Sequence, residues 1–132
     1  LCLSPDERRL FVAEQATHTI AVIDTRTGAV CARWDAGGER PAGLAITPDG
    51  ATLLVTSAYS GRLLLLETST GKVRAQVALP GMPWGVAVLP EAQRAYVAVS
   101  QLNQVAEIDL TTPRVLHRIR VGRRPQAIGV SP

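Results

Sequence analysis

The chain contains 132 residues, of which 46% are hydrophobic and 19% are charged, and its formal net charge is +3. This length and apolar content are sufficient for one folded domain with a core, and they exclude an intrinsically disordered segment. Aromatic residues make up only 4% and the arginines are scattered among acids, so we do not expect the basic stripe with stacking aromatics that binds nucleic acids.

A repeat of about 42 residues organises the whole sequence. Four dipeptides ending in proline recur at intervals of 43, 42 and 42 residues: Ser4-Pro5, Thr47-Pro48, Leu89-Pro90 and Ser131-Pro132. Three acids follow the same spacing: Asp24, Glu67 and Asp109. A sequence period of this length indicates supersecondary units that stack on their neighbours. We assign the repeats to residues 1–41, 42–83 and 84–125, with the start of a next repeat at 126–132.

Each repeat contains four β-type runs separated by turn residues. In the first repeat they include residues 1–3, 10–13 and 21–24 and a run around Cys31. In the second repeat they are residues 43–46, 52–57, 62–67 and 73–78. In the third they include residues 85–87, 95–99, a run ending at Asp109, and 115–121, after which residues 128–130 match residues 1–3. No stretch has a capped apolar pattern of period 3.6, so almost no helix is predicted.

The placement of apolar residues within the runs favours a propeller over a sandwich. Runs such as 53–55 and 63–66 are continuously apolar, which indicates strands covered on both faces. The fourth run alternates, as in residues 73–77, which indicates an outermost strand with one wet face. Small residues on the first runs suit a crowded axis: Gly43, Ala45, Gly85, Ala87, Ala127 and Gly129. We predict an all-β fold, a β-propeller fragment of three four-stranded antiparallel blades plus the first strand of a fourth.

Four segments resemble the YVTN-type β-propeller repeat: residues 10–13, 21–28, 40–50 and 95–98. The third repeat departs from that pattern at two turns, because Glu91-Ala92-Gln93 replaces an Asp-Gly turn and Pro113 replaces a glycine. We expect altered turn geometry there in the same kind of blade. The resemblance implies a bacterial protein in an extracytoplasmic setting, periplasmic or at the cell surface.

The repeat count predicts a piece of a longer propeller, because closed rings use about four to eight blades. The remaining blades of the same propeller are therefore the first partners we expect. Closure of a six-bladed ring by two copies is a less favoured alternative. Cys2 and Cys31 fall on the innermost and outermost strands of one blade, three spacings of about 4.8 Å apart. That separation exceeds the roughly 7 Å limit for a disulfide, so we expect two free thiols.

No group of residues predicts catalysis. The acids at repeat-equivalent positions, together with Asp6 and Asp49 after proline, are interpreted as turn formers that bond their own backbone two residues on. An active site would not recur in every blade. His18 is a lone loop histidine and His117 lies in an outermost strand, so no metal site is predicted. No phosphate loop or dinucleotide fingerprint is present, so no cofactor is predicted.

Binding residues are expected where the repeat is broken, on loops at one end of the sheets. The loops that enter the innermost strands and those that join the second and third strands share that end. The candidate ligand- or partner-binding residues there are Arg40, Tyr59, Trp84, Arg123 and Arg124. An exposed Trp84 beside arginines would form a hot spot for a partner or an anionic ligand. The alternative is that Trp84 packs between blades and the arginines are solvated.

The sequence therefore predicts a non-enzymatic binding or scaffold module that presents loops to a protein, polymer or small ligand. The alternative is part of a propeller enzyme, resembling lactonases of sugar acids or the haem-carrying propeller of nitrite-reductase-like proteins, with an active site outside these residues. No membrane span is expected, because the longest uncharged apolar stretch, residues 77–89, is shorter than the roughly 20 residues of a spanning helix.

Overall fold

The computed structural model describes residues 1–91 and 93–131. Within these residues twelve strands form three antiparallel sheets, and the helical content is one 3-10 turn, Ser100–Leu102. Blade 1 contains β1 (Cys2–Leu3), β2 (Arg9–Glu14), β3 (Thr19–Asp24) and β4 (Val30–Asp35). Blade 2 contains β5 (Pro41–Ile46), β6 (Thr52–Ser57), β7 (Arg62–Glu67) and β8 (Val73–Ala78). Blade 3 contains β9 (Pro83–Val88), β10 (Arg94–Val99), β11 (Gln104–Asp109) and β12 (Arg114–Arg120).

The strands of every blade lie in chain order, from the first strand to the fourth. The first strands of neighbouring blades contact each other, β1 with β5 and β5 with β9. They form a common hub, and the strand order places β4, β8 and β12 at the outer edges. The radial arrangement predicted from the apolar pattern is therefore confirmed.

Two apolar cores lie between the three blades. The core between blades 1 and 2 contains Phe11, Ile20, Val22, Ala36, Leu53, Val55, Leu64 and Leu66. The core between blades 2 and 3 contains Leu54, Leu63, Leu65, Val77, Leu79, Val86, Ala95, Val97, Val99, Ala106 and Ile108. Alternate residues of β6 and β7 thus point to opposite neighbours, as the pleat of a strand requires. All six residues of β6 are buried, which explains the continuous apolar run at residues 53–55.

Glycine allows the blades to approach closely at the hub. A Cβ atom on Gly43 would lie 2.2 Å from the carbonyl oxygen of Trp84 in the next blade, so only a hydrogen fits there. The Gly43 N–H donates to Thr56 Oγ1 at 2.7 Å, and the Thr56 hydroxyl donates to that same Trp84 carbonyl. Blades 2 and 3 are therefore joined at the hub by a polar bridge as well as by their apolar core.

The turns between first and second strands and between third and fourth strands lie together, at what we call the turn end. Asp49 Oδ1 accepts hydrogen bonds from the Thr47 hydroxyl at 2.6 Å and from the Ala51 N–H at 3.0 Å. Asp6 accepts equivalent bonds from Ser4 and the Arg8 N–H. The side chains of Asp24 and Asp109 each accept a bond from the backbone N–H two residues on. The interpretation of these four acids as turn formers is confirmed.

Blade 3 departs from its neighbours where the sequence departs from the repeat. Gly28 and Gly71 have φ angles of 74° and 77° in the turns before β4 and β8, which proline cannot adopt. With Pro113 at the equivalent position, Asp109 pairs with Arg114 and β12 reaches seven residues. The turn geometry is altered and the blade is kept, as predicted. The second predicted altered turn includes Ala92, which lies outside the described residues.

Residues 126–131 extend beyond blade 3 without a ladder partner among the described residues. The Gly85 N–H donates to the Gln126 carbonyl at 2.7 Å, and a Cβ on Gly85 would lie 2.3 Å from that oxygen. This repeats the approach of Gly43 to Trp84. The segment therefore lies beside β9 at the hub, where the first strand of a fourth blade is predicted.

Both cysteines are free thiols, as predicted, with Cys2 half-buried and Cys31 exposed. Burial raises the pKa of the Cys2 thiol. Within residues 1–91 and 93–131, no helix is long and apolar enough to cross a membrane.

Candidate functional site

The loop end lies opposite the turn end and is formed by two kinds of connection. One joins the second and third strands of a blade, and the other joins the last strand of one blade to the first strand of the next. Because the strands are antiparallel, both kinds emerge at the same end, as predicted. The segments that form the loop end are residues 15–18, 36–40, 58–61, 79–82, 100–103 and 121–125.

Three equivalent notches follow one another along this end, one for each blade. Notch 1 is lined by Gln15, Ala16, His18, Arg40 and Tyr59. Notch 2 is lined by Glu39, Ala58, Tyr59, Ser60, Gly61, Pro80, Gly81, Met82 and Gln101. Notch 3 is lined by Gln101, Asn103, Arg123 and Arg124. Since Tyr59 borders the first two notches and Gln101 the last two, the notches form a continuous row.

The volumes of the notches are about 320, 560 and 260 Å³. Pockets that enclose small ligands measure roughly 300–1,000 Å³ and bury most of the ligand. Notch 3 is smaller than that range, notch 1 is at its lower limit and notch 2 is within it, and all three open on the surface. Their size suits single side chains or groups of an extended partner.

The centre of notch 1 is the guanidinium of Arg40. Its Nε donates to Gln15 Oε1 at 3.2 Å, and its Nη1 donates to the Tyr59 hydroxyl. The guanidinium carbon lies 4.8 Å from the centroid of the Tyr59 ring, in cation–π contact. The side chain of Arg40 is therefore held in one orientation by two neutral groups.

The backbone of Arg40 is held as well. Arg40 has φ of 58°, in the left-handed region that residues with a Cβ rarely adopt. Its N–H donates to His18 Nδ1 at 3.0 Å, so the neutral His18 ring carries its proton on Nε2. The turn between β2 and β3 thus fixes the loop that enters β5.

We call this bond, from the N–H of a left-handed loop residue to the side chain of a turn residue, a clasp. Notch 3 repeats the clasp with different residues. Arg124 has φ of 49°, and its N–H donates to Asn103 Oδ1 at 3.0 Å. The corresponding residue of notch 2 is Met82, with φ of 63°. There Gly61 occupies the turn position of His18 and Asn103 and has no side chain to accept a bond. Two basic notches therefore flank a notch whose wall carries Pro80 and Met82.

The structure brings together four of the five predicted site residues in two pairs. Arg40 lies against Tyr59 in notch 1, and Arg123 lies beside Arg124 in notch 3. Trp84 is half-buried on β9, and its carbonyl accepts the Thr56 hydroxyl bond at the hub. It lines none of the three notches, so it does not join either arginine pair there.

The residues that hold Arg40 and Arg124 in place were not among the predicted site residues: Gln15, His18 and Asn103. His18 and Asn103 adopt left-handed φ angles of 58° and 55° at the same position of the repeat, where blade 2 has Gly61. The 42- to 43-residue spacing of these positions was the signal that could have identified them. Asparagine and histidine are enriched at left-handed positions, so the occurrence of His, Gly and Asn at one position of the repeat indicates a left-handed backbone there.

Charge is distributed unevenly between the two ends. Of the chain's 11 acids, those in or bordering the turn end are Asp6, Glu7, Asp24, Asp49, Glu67, Glu91 and Asp109. Those near the loop end are Glu14, Asp35 and Glu39. Glu14 is paired with Arg33 at 3.0 Å. The loop end therefore presents arginines with few neighbouring carboxylates. Among the described residues, no group of three or more His, Cys, Asp or Glu is placed to hold a metal ion.

Comparison with known proteins identifies the fold. No family model and no curated protein matches the chain. Kuenenia stuttgartiensis hydrazine synthase is similar over 99% of this chain and 38% of that one, with a TM-score of 0.93 and 27% identity. The crystal structure of RRP9 WD40 repeats is similar over 97% of this chain and 41% of that one, with a TM-score of 0.85 and 14% identity. The chain spans about two fifths of these structures. Its three stacked four-stranded blades and these likenesses show that it is a partial β-propeller.

Proposed function

We propose that this chain belongs to a non-enzymatic β-propeller module that binds a partner at its loop end. The observation that carries this proposal is the row of three notches, in which packed blades present three arginines and an exposed tyrosine, and the side chain of Arg40 is held by hydrogen bonds. Side chains of Arg and Tyr dominate binding hot spots. The blades supply the rigidity, because the loops are anchored at both ends in packed sheets.

The partner is proposed to be anionic. Notches 1 and 3 hold arginines, while acids are concentrated at the turn end. Complementary charge speeds association and selects partners. Protein segments, acidic polymers and small anions all satisfy this requirement, and a test needs a probe of each kind.

Binding of three probes to the 132-residue chain tests the proposal: an acidic decapeptide, polygalacturonate and citrate. Each is titrated against the natural chain, an Arg123→Ala/Arg124→Ala variant and an Arg26→Ala/Arg114→Ala control. The control removes two exposed arginines from the turn end, so it matches the change in net charge. We expect at least one probe to bind, with at least fivefold weaker binding to the loop-end variant only. Absence of binding by all three probes, or equal losses in both variants, would overturn the proposal.

We also propose membership of the YVTN-type repeat proteins and a bacterial, extracytoplasmic location, periplasmic or at the cell surface. The support is the resemblance of residues 10–13, 21–28, 40–50 and 95–98 to that repeat. Fractionation of the source cells, with detection of the natural full-length protein, tests the location. Recovery only in the cytoplasmic fraction would contradict it.

A second candidate is part of a propeller enzyme, lactonase-like or haem-carrying. One observation favours it, namely the similarity in fold to a protein named as a hydrazine synthase. The full-length protein would then hydrolyse sugar-acid lactones or show haem absorption. Neither property is expected if the whole propeller is a binding module.

A further inference from the structure

The guanidinium of Arg40 is oriented but not neutralised. The ion pairs formed by the described residues are Arg33–Glu14 and Arg94–Glu107, so no carboxylate contacts Arg40. Both of its side-chain acceptors, Gln15 Oε1 and the Tyr59 hydroxyl, are uncharged.

Part of the guanidinium remains available to a ligand. An arginine has five N–H donors in a planar fork, and the described residues accept from Nε and Nη1 only. The Nη2 group and the second Nη1 hydrogen are therefore unused. Gln15, His18 and the Tyr59 ring surround Arg40 in notch 1, and Tyr59 is 58% exposed. Arg40 thus has donors without an acceptor among the described residues, and it lines a notch with an aromatic wall.

The backbone conformation points the same way. Left-handed residues with a Cβ are costly and concentrate where a side chain must be positioned for a ligand. Arg40 keeps this conformation although glycine would adopt it without cost, and His18 supports it with a hydrogen bond. The same arrangement recurs at Arg124, supported by Asn103. Met82 has the same conformation at the equivalent position, so the left-handed backbone belongs to the repeat. At Arg40 and Arg124 a turn side chain holds that backbone as well, at the position that carries an arginine.

We propose that notch 1 is a recognition site for a single carboxylate, supplied by an Asp or Glu side chain of an extended partner segment. The inference rests on the proposed function of the loop end and names its ligand chemistry. The unused N–H groups of Arg40 are donors of the kind that bind a carboxylate through charge-assisted hydrogen bonds. A phosphate group is usually bound by a cluster of arginines, whereas notch 1 offers one. The same segment places a second acidic side chain in notch 3 and an apolar side chain against Met82 in notch 2.

The test uses three labelled decapeptides and fluorescence anisotropy with the 132-residue chain. The first peptide carries Glu near both ends and Leu between them, the second has Gln in place of Glu, and the third has phosphoserine in place of Glu. Two variants address the site: Arg40→Gln removes the charge, and Gln15→Glu supplies an internal carboxylate to Arg40 without touching its backbone. Arg26→Gln at the turn end is the matched control, and circular dichroism verifies the β fold of each variant.

We expect the Glu peptide to bind the natural chain and the Arg26→Gln control within twofold of each other. Arg40→Gln and Gln15→Glu should each weaken that binding about tenfold, the range of a lost charged hydrogen bond. The Gln peptide should bind the natural chain no more tightly than it binds the Arg40→Gln variant. The phosphoserine peptide should bind the natural chain no more tightly than the Glu peptide does.

Four outcomes would overturn the inference. Undiminished binding of the Glu peptide to Arg40→Gln and Gln15→Glu would show that notch 1 is not the recognition site. If binding were then lost in the Arg123→Ala/Arg124→Ala variant, the proposed function of the loop end would still hold. Equal binding of the Glu and Gln peptides would exclude carboxylate recognition. Much tighter binding of the phosphoserine peptide would reassign the site to phosphate. Absence of binding by every probe would remove the proposed function as well.

Discussion

Single residues in the turns decide which loops of this propeller are fixed. His18, Gly61 and Asn103 occupy the same position of the repeat, and each accepts a bond from the following loop through its backbone carbonyl. Of these three, only His18 and Asn103 also accept a second bond from that loop through their side chains. A histidine Nδ1 and an asparagine Oδ1 therefore perform the same structural task. At position 18, asparagine should therefore replace histidine and still accept the bond from the Arg40 N–H.

Replacing His18 tests this equivalence. His18→Ala removes the acceptor of the Arg40 N–H, which costs about 1 kcal/mol locally, and we expect exchange of the Arg40 amide to accelerate roughly fivefold. His18→Asn restores an acceptor of the type found at Asn103 and should keep the natural exchange rate. Amide hydrogen exchange followed by NMR measures both. Exchange that is equally fast in the two variants would contradict the clasp.

The turn-end acids make stability depend on pH. The Thr47 hydroxyl, and after it the Ala51 N–H, holds the pKa of Asp49 below its ordinary value of 3.8. A carboxyl group with a lowered pKa in the folded state stabilises the fold above its unfolded pKa, and the stabilisation is lost as the pH falls through the folded pKa. Asp6 and Asp109 have lowered pKa values for the same kind of reason, through Ser4 and Thr111.

Asp49→Asn is expected to lower the free energy of unfolding at pH 7 and to lower it less at pH 3. The reason is that below pH 3.8 the unfolded chain binds a proton at Asp49 more readily than the folded chain does, so the stability that the carboxylate contributes at pH 7 is progressively lost. Urea unfolding at the two pH values measures the difference. A deficit that stayed constant from pH 7 to pH 3 would show that ionisation of Asp49 contributes nothing.

At the scale of the strands, the apolar pattern predicted most of what is observed. The runs at residues 52–57, 62–67 and 73–78 are β6, β7 and β8, because burial on two faces or one leaves a direct trace in the sequence. The clasps at Arg40 and Arg124 were not predictable in this way. They join residues 22 and 21 positions apart through left-handed backbone, which periodicity does not encode. Trp84 was predicted to lie beside the arginines because it follows a loop of the loop end. It belongs instead to the start of β9, where its carbonyl accepts the Thr56 bond at the hub.

The small residues of the first strands were predicted from crowding, and Gly43 provides the test. A Cβ at Gly43 would meet the backbone of Trp84 at 2.2 Å, which no side-chain movement relieves. Gly43→Ala should destabilise the chain by about 1–3 kcal/mol. Gly122→Ala is the control, since a Cβ there meets nothing within 4 Å. Equal unfolding midpoints of the two variants in urea would contradict the close approach of blades 2 and 3.

At the scale of the molecule, the two outer faces of the three-blade stack differ. Ala106 and Ile108 belong to the core shared with blade 2, so Glu107 between them points away from it. Val22 and Leu65 occupy its repeat position in blades 1 and 2. Glu107 is only 7% exposed and pairs with Arg94 at 2.9 Å. The open face of blade 1 includes the exposed Leu3 and Val30.

The Arg94–Glu107 pair opposes ring closure by two copies, because a second copy would cover and desolvate the Arg94 side chain, which is 56% exposed. Glu107→Leu recreates the residue found at Leu65 and should increase self-association at least fivefold. Sedimentation velocity of the natural and variant chains measures the change. Stronger association of the natural chain would mean that the carboxylate takes part in the contact.

The loop-end surface exists only if the three sheets lie face to face around one hub, and amide hydrogen exchange of the natural chain tests that arrangement most directly. Residues 53–55 and 63–66 are buried on both sides of blade 2, so their amides should exchange most slowly, through unfolding of the whole stack. The amides of β4 and β12, at the outer edges, should exchange faster. Equal protection in all three sheets, or slowest exchange in β4 or β12, would contradict the stacked blades and the row of notches built on them.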